Sequence, residues 1–372
     1  MPTFASIFGQ DAAVSALRRS LQAEQLPGAY LFVGTPGVGK YRLANALAQA
    51  AACLAPIDEP FDSCGVCESC RRASNGSQPE IVTIRPAGEQ MQIWQFWDRD
   101  NKPGGVLSHT LSYAPAIGRR RVYIFENADA LTESAANSLL KVLEEPPPYA
   151  LFVLLATHPA RVLPTIVSRS QLVRVRALPA DLLAGYLRDT VGLDADRAAM
   201  LAAYAEGRIG QAMQLAQNPL VAEEIGRILD FAEALPVAPR VRALKLAEQM
   251  RKLATQIKAL VGEEPVDTDT ETEGAATPKE RAGRRQLAAL FDLLVAFYRD
   301  LLTLRVCGDG ARIVNRDRAG TLNRLAQKGG PERWTLCLDA LLLARRRLDA
   351  NANIALVTEV LLMTLVGPLS GS

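Results

Sequence analysis

The chain has 372 residues, 49% of them hydrophobic, and a formal net charge of +2. That length exceeds one ordinary core, so two or three domains are expected, and the near-neutral balance gives no electrostatic case for a strong independent grip on nucleic acid. No basic segment followed by an apolar run opens the chain and no stretch reaches the roughly 18 uncharged apolar residues of a membrane span, so a soluble cytoplasmic protein with reduced or metal-bound cysteines is expected.

The first clear element is the apolar run Ala29–Val33, read as a buried strand. Gly34-Thr35-Pro36-Gly37-Val38-Gly39-Lys40 follows as a complete phosphate loop, and 40–54 reads as a helix. Strand, glycine loop and helix are the setting the motif needs: backbone N–H groups face the phosphates and Lys40 sits against the terminal ones. A glycine-rich turn with an exposed lysine is the plainer alternative, and it leaves this spacing unexplained. The next residue is Tyr41, where the motif expects a Ser or Thr hydroxyl for Mg²⁺. A phenol on a rigid ring does not serve at the same reach.

Cys53, Cys64, Cys67 and Cys70 come next. Four thiolates can close a tetrahedral Zn²⁺ site with no open position, which would make the metal structural. Disulfides and free thiols are the alternatives. Ile81–Ile84 is a second strand candidate. Trp94, Phe96 and Trp97 suit a helical packing face better than base stacking, because the two tryptophans are spaced i, i+3. His109 and His158, the only histidines, belong to no paired metal or nucleophile pattern and are read as non-catalytic.

A third strand, 121–126, ends at Glu126-Asn127. A carboxylate at that place supports Mg²⁺, and Glu126 can fill the role. In one large ATPase class a glutamate follows it and activates water. Here Asn127 stands there, and a neutral amide cannot act as a general base. Residues 132–145 read as a helix that stops at Pro146, since proline cannot continue it. Strands at 151–156 and 171–175 complete an alternation with helices, which implies a mostly parallel sheet covered on both faces. Arg169, in Ser168-Arg169-Ser170, could face a neighbouring subunit, but from the residues alone an ordinary surface arginine fits better, because the chain has many arginines.

Beyond about residue 178 strand signals fade. Residues 180–217, 219–261 and 281 onward read as helices. Between them 262–280 contains Glu263, Glu264, Asp267, Asp269, Glu271 and Glu273 with almost no large apolar residue. It is read as a disordered acidic loop, with a partner-binding tail as the alternative. Cys307 and Cys337 are read as buried hydrophobes.

Several segments together resemble the bacterial DNA polymerase III clamp-loader family, and in particular its delta-prime branch. They are Phe8-Gly9-Gln10, the cysteine insert, Gly118-Arg119-Arg120-Arg121-Val122-Tyr123-Ile124, the run from Ala135-Ala136-Asn137-Ser138-Leu139-Leu140 to Glu144-Glu145-Pro146-Pro147, and Ser168-Arg169-Ser170. The likeness is good over roughly the first 215 residues and loose in the last third. It implies an AAA+ α/β domain with a parallel sheet over 1–177 and a zinc-binding four-cysteine insert at 53–70. A small helical lid over 178–218 and a helical collar over 219–372, carrying the acidic loop 262–280, would follow. It also implies that Arg169 acts in trans as an arginine finger and that Thr157 senses a terminal phosphate. In the family's active subunits a lid arginine follows a Gly-x-x pattern, whereas here Gly207-Arg208-Ile209 runs into Gly210.

The function implied is a subunit that supports ATP-dependent loading of a sliding clamp onto primed DNA without hydrolysing ATP itself. Its cofactors would be structural Zn²⁺ and, weakly or not at all, ATP or ADP at residues 34–40, Glu126 and Thr157. Its partners would be gamma/tau- and delta-like subunits, with clamp and primer-template DNA reached through the complex. An ATP-hydrolysing gamma/tau-type motor is the alternative. A DNA-binding module built on the cysteine insert is a third, disfavoured by the balanced charges of Asp62, Glu68, Arg71 and Arg72.

Overall fold

A computed structural model describes residues 2–88, 90–99, 104–258, 260–261, 278–308, 311 and 313–367. The chain divides into two compact units, Met1–Leu178 with Arg208–Gly210, and Pro179–Gly207 with Gln211–Ser372.

The first unit contains strands β1 (Ala29–Val33), β2 (Ile57–Asp58), β3 (Phe61–Asp62), β4 (Ile81–Ile84), β5 (Arg121–Phe125), β6 (Ala150–Ala156) and β7 (Gln171–Arg174). Its helices are α1 (Asp11–Gln22), α2 (Lys40–Ala52), α3 (Glu68–Ser74), α4 (Val106–Thr110), α5 (Glu133–Glu144) and α6 (Pro164–Ser168). Five strands pair in the order β4-β5-β6-β1-β7, every pair parallel, and β2 with β3 forms a separate antiparallel hairpin. The five expected strands are all present, with ends shifted by at most one residue.

A strand's side chains alternate between faces, so one run supplies two cores. Tyr30, Phe32, Val122, Ile124, Val153 and Leu155 share one core with Leu17 and Leu21 of α1 and Leu43 and Leu47 of α2. Leu31, Tyr123, Phe125, Phe152 and Leu154 share the other with Leu139 and Leu143 of α5 and with Phe96. Thr132 starts α5 by accepting from the Ala135 N–H at 3.3 Å, an ordinary side-chain cap.

Two expectations are corrected. The tryptophan segment is not a packing helix: Ile93–Gln95 is a single 3₁₀ turn. Phe96 alone of its three aromatics is fully buried, edge-on to Phe125 at 5.4 Å between centroids. Of the two cysteines outside the insert, Cys307 is exposed and Cys337 is buried. The acidic loop expected at 262–280 lies outside the described residues, except that 278–280 open the helix Pro278–Cys307. The two histidines have modest structural partners. His109 Nε2 lies 3.1 Å from Asp98, and His158 Nδ1 accepts from the Ala160 N–H at 3.2 Å.

Among its described residues the second unit is helical, from Ala180–Val191 to Ile354–Leu365. Asp300, buried in its interior, accepts from the N–H of Val314 and Asn315 and from Asn315 Nδ2 at 2.7–3.0 Å. Among the described residues of the chain no helix is long and apolar enough to cross a membrane.

The edge of the sheet holds a buried ion pair. Arg121 Nε donates to Glu80 Oε2 at 2.6 Å, and Glu80 also accepts from the Ala116 N–H at 2.7 Å. Glu80→Ala leaves a buried guanidinium uncompensated and should cost about 3–5 kcal/mol. A urea titration checks this; an unchanged midpoint would contradict it.

Candidate functional site

The loop 34–40 leaves the carboxyl end of β1 and enters α2. Gly34 N–H donates to the Ala156 carbonyl at 3.2 Å, carrying the β1–β6 pairing one step past Val33. Gly37 and Gly39 have φ of 82° and 100°, conformations that side-chain-bearing residues avoid. Val38 is buried and anchors the loop in the core beneath. Among the described residues the N–H groups of Gly37, Gly39 and Lys40 donate to no other group, and the first bond inside α2 runs from Leu43 N–H to the Gly39 carbonyl at 3.0 Å. Unclaimed donors at the positive end of a helix suit a phosphate.

Lys40 Nζ donates back to the carbonyls of Gly34 at 2.5 Å and Thr35 at 3.1 Å. Burial pushes its ammonium below the ordinary lysine range, and the charge of Asp129 pulls the other way. Gly210 N–H donates to the Gly37 carbonyl at 2.9 Å, so the 208–210 segment closes on the loop.

The ends of β5 and β6 place the remaining polar groups. Thr157 follows β6, and its N–H donates to Asp129 Oδ2 at 2.8 Å. The other Asp129 oxygen and the Thr157 hydroxyl are buried without hydrogen-bond partners. Glu126 follows β5 and is engaged: Arg85 Nε donates to its Oε2 at 2.5 Å. Tyr41 turns its hydroxyl toward Thr83 Oγ1, 3.5 Å away on β4. The Ser or Thr hydroxyl that a Mg²⁺ ion would need is absent, and the Glu126 carboxylate already faces Arg85, so these residues do not fit that ion.

Arg169 caps the end of α6. Its Nε donates to Glu144 Oε1 at 2.7 Å and its Nη1 to the Thr165 carbonyl at 3.1 Å. The side chain is still 34% exposed, so part of the guanidinium faces outward. Arg85 and Asp129 carry no motif of their own, and Glu144 lies in the Glu144-Glu145-Pro146-Pro147 run without a role assigned to it there. The faint signal was position: one just past a strand, one three residues after Glu126, one at the end of the helix that precedes Pro146.

The four cysteines do converge. Their sulfur atoms all lie within 4.8 Å of one another. Cys53 Sγ is 3.6 Å from Cys64, 3.8 Å from Cys67 and 3.6 Å from Cys70, and Cys64 to Cys70 is 4.0 Å. A disulfide needs about 2.05 Å, so no pair is bonded. A tetrahedron of sulfurs around a metal at about 2.3 Å has edges near 3.8 Å, which is what the cluster shows. The N–H groups of Cys67 and Cys70 donate to the sulfurs of Cys64 and Cys67 at 3.3 and 3.4 Å. Burial opposes ionisation of Cys67, yet the N–H donors of Cys70 and Leu54 bring its thiol down to about 6. Burial drives Cys53 and Cys70 upward. No pattern in the residues announced the β2–β3 hairpin, which ties this insert down. Asp62 on β3 accepts from the N–H groups of Phe4 at 3.1 Å and Ala5 at 2.9 Å.

The family model for the DNA polymerase III delta subunit matches residues 9–179. The delta-prime subunit of Bacillus subtilis DNA polymerase III is 27% identical over 96% of this chain and 96% of its own. The tau subunit of Escherichia coli is 30% identical over 70% of this chain, which spans only 40% of that longer relative. A solved gamma-subunit-related protein of Thermotoga maritima is 18% identical, with a TM-score of 0.41 over 90% of this chain and 98% of its own; a likeness of that size carries no argument. In sequence the chain is thus similar to the delta, delta-prime and tau subunits of DNA polymerase III.

The metal-free protein should take up one cobalt(II) ion per chain with intense thiolate-to-metal absorption. Cys64→Ser should weaken uptake by more than the roughly 10- to 100-fold cost of losing an outer-shell partner. Absence of the absorption band in reduced protein would contradict a metal centre.

Proposed function

We propose that the chain is a non-hydrolysing, delta-prime-like subunit of a clamp loader, supporting ATP-dependent loading of a sliding clamp onto primed DNA in the cytoplasm. One observation carries this: a phosphate loop with free donors stands beside Tyr41 and Asn127, where hydrolysis needs a metal-binding hydroxyl and a base. Each lost group of this kind costs on the order of 10² to 10⁴ in rate.

The residues retained have definite tasks. Gly34, Thr35, Pro36, Gly37, Val38, Gly39 and Lys40 cradle the phosphates of ATP or ADP, and Thr157 faces the terminal one. Cys53, Cys64, Cys67 and Cys70 hold a structural Zn²⁺, whose four bonds organise the 53–70 insert. Arg169 reaches the ATP of an adjacent gamma/tau-type subunit, and its guanidinium offsets charge on the transferring phosphoryl group. Glu144 positions it through Nε and Nη2, and the Thr165 carbonyl and Ser168 hydroxyl accept from Nη1. Residues 178–218 serve as a helical lid and 219–372 as a collar that packs against other loader subunits. Clamp and primer-template DNA are met through the assembled complex.

In a reconstituted loader, Arg169→Ala should leave assembly intact while the adjacent ATPase site loses on the order of 10³ in turnover. The complex then loses that site's share of steady-state phosphate release. An unchanged rate in a fully assembled complex would remove the finger from the mechanism.

A further inference from the structure

Residues 85 and 126 leave the sheet side by side. Ile84 is level with Phe125 in the parallel ladder, and Glu126 N–H donates to the Ile84 carbonyl at 3.0 Å. Gln95 Nε2 donates to the Arg85 carbonyl at 2.6 Å and fixes the backbone there. Thr83 and Arg85 are two residues apart, so they point to the same side of β4. On that side they meet Tyr41 and Glu126. Tyr41 Oη is 3.5 Å from Thr83 Oγ1, and the Arg85 Nε bond to Glu126 is 2.5 Å. The cluster begins one residue after Lys40.

A Mg²⁺ ion demands near-octahedral oxygen ligands at about 2.0–2.1 Å, usually including a carboxylate. Here the carboxylate already faces a cation. A guanidinium, by contrast, has five donors in a planar fork suited to phosphate. With Nε on Glu126, its remaining donors can turn to a phosphate held by the loop.

We propose that Arg85 takes the place of the divalent cation in this pocket, so that the site binds a metal-free nucleoside diphosphate or triphosphate. Glu126 is then the positioning residue for Arg85 rather than a metal support. This rests on the reading that loop 34–40 binds nucleotide. It also gives the non-hydrolysing site a physical role, as a holder of nucleotide that does not respond to magnesium.

The test is ADP binding to the full chain by calorimetry, in excess EDTA and in millimolar magnesium. The wild type should bind in EDTA at least as tightly as in magnesium, and Lys40→Ala should lose binding in both. Arg85→Ala should lose about tenfold or more in EDTA, the size expected for hydrogen bonds to a charged group. Added magnesium should restore part of that loss, because Glu126 is then free. Arg85 is 67% exposed, and circular dichroism will show whether the variant keeps its fold. Binding that requires magnesium, or an Arg85→Ala chain that binds normally in EDTA, would overturn the role of Arg85 and leave the phosphate loop standing. No ADP binding under either condition would overturn both.

Discussion

Parallel pairing of the five strands is the constraint on which the site depends. It brings the carboxyl ends of β1, β4, β5 and β6 to one side of the unit, where open α/β sheets bind ligands. The phosphate loop follows β1, Arg85 follows β4, Glu126 follows β5 and Thr157 follows β6. None of these residues is near another in sequence except within its own loop. The side-chain period of a strand is two, so a one-residue slip of β4 against β5 would send Arg85 to the opposite face and leave Glu126 unpaired. Register is held in turn by the two apolar cores, which demand that Tyr123 and Phe125 face one way and Val122 and Ile124 the other. The buried Arg121–Glu80 pair adds a polar anchor at the same edge.

What the sequence revealed follows from where the information lies. The strands are short apolar runs, the phosphate loop is seven consecutive residues, and three of the four cysteines fall within 64–70. Each is a local pattern with a physical reason. The partners that decide what the site can do are not local. Arg85 meets Glu126 across 41 residues, and Asp129 meets Thr157 across 28. Asp62 meets Phe4 across 58 residues. The polar clusters they form appear only once the ladder is built. The tryptophan segment misleads for a related reason: i, i+3 spacing also fits a single 3₁₀ turn, and burial then falls on Phe96 between the tryptophans. Cys307 misleads because a helical residue's burial depends on its face, and this one is exposed.

The cysteine insert is attached without disturbing the sheet. Cys53 closes α2, and the other three cysteines lie at or near the start of α3. Ser69 Oγ donates to the Ala52 carbonyl at 2.9 Å, while Gln78 Nε2 donates to Ser69 Oγ at 2.5 Å. Polar partners of this kind fix the orientation of metal ligands. A hairpin and four sulfurs thus replace the hydrophobic core that so short a segment cannot build for itself.

The clearest measurement is release of phosphate from ATP by the purified chain alone, with magnesium present and with Lys40→Ala as the control. A pocket with a phosphate loop but with Tyr41 and Asn127 where the metal hydroxyl and the base are needed should leave ATP intact over many hours. Magnesium-dependent release by the wild type, abolished in Lys40→Ala, would mean that the chain cuts its own nucleotide and is a motor.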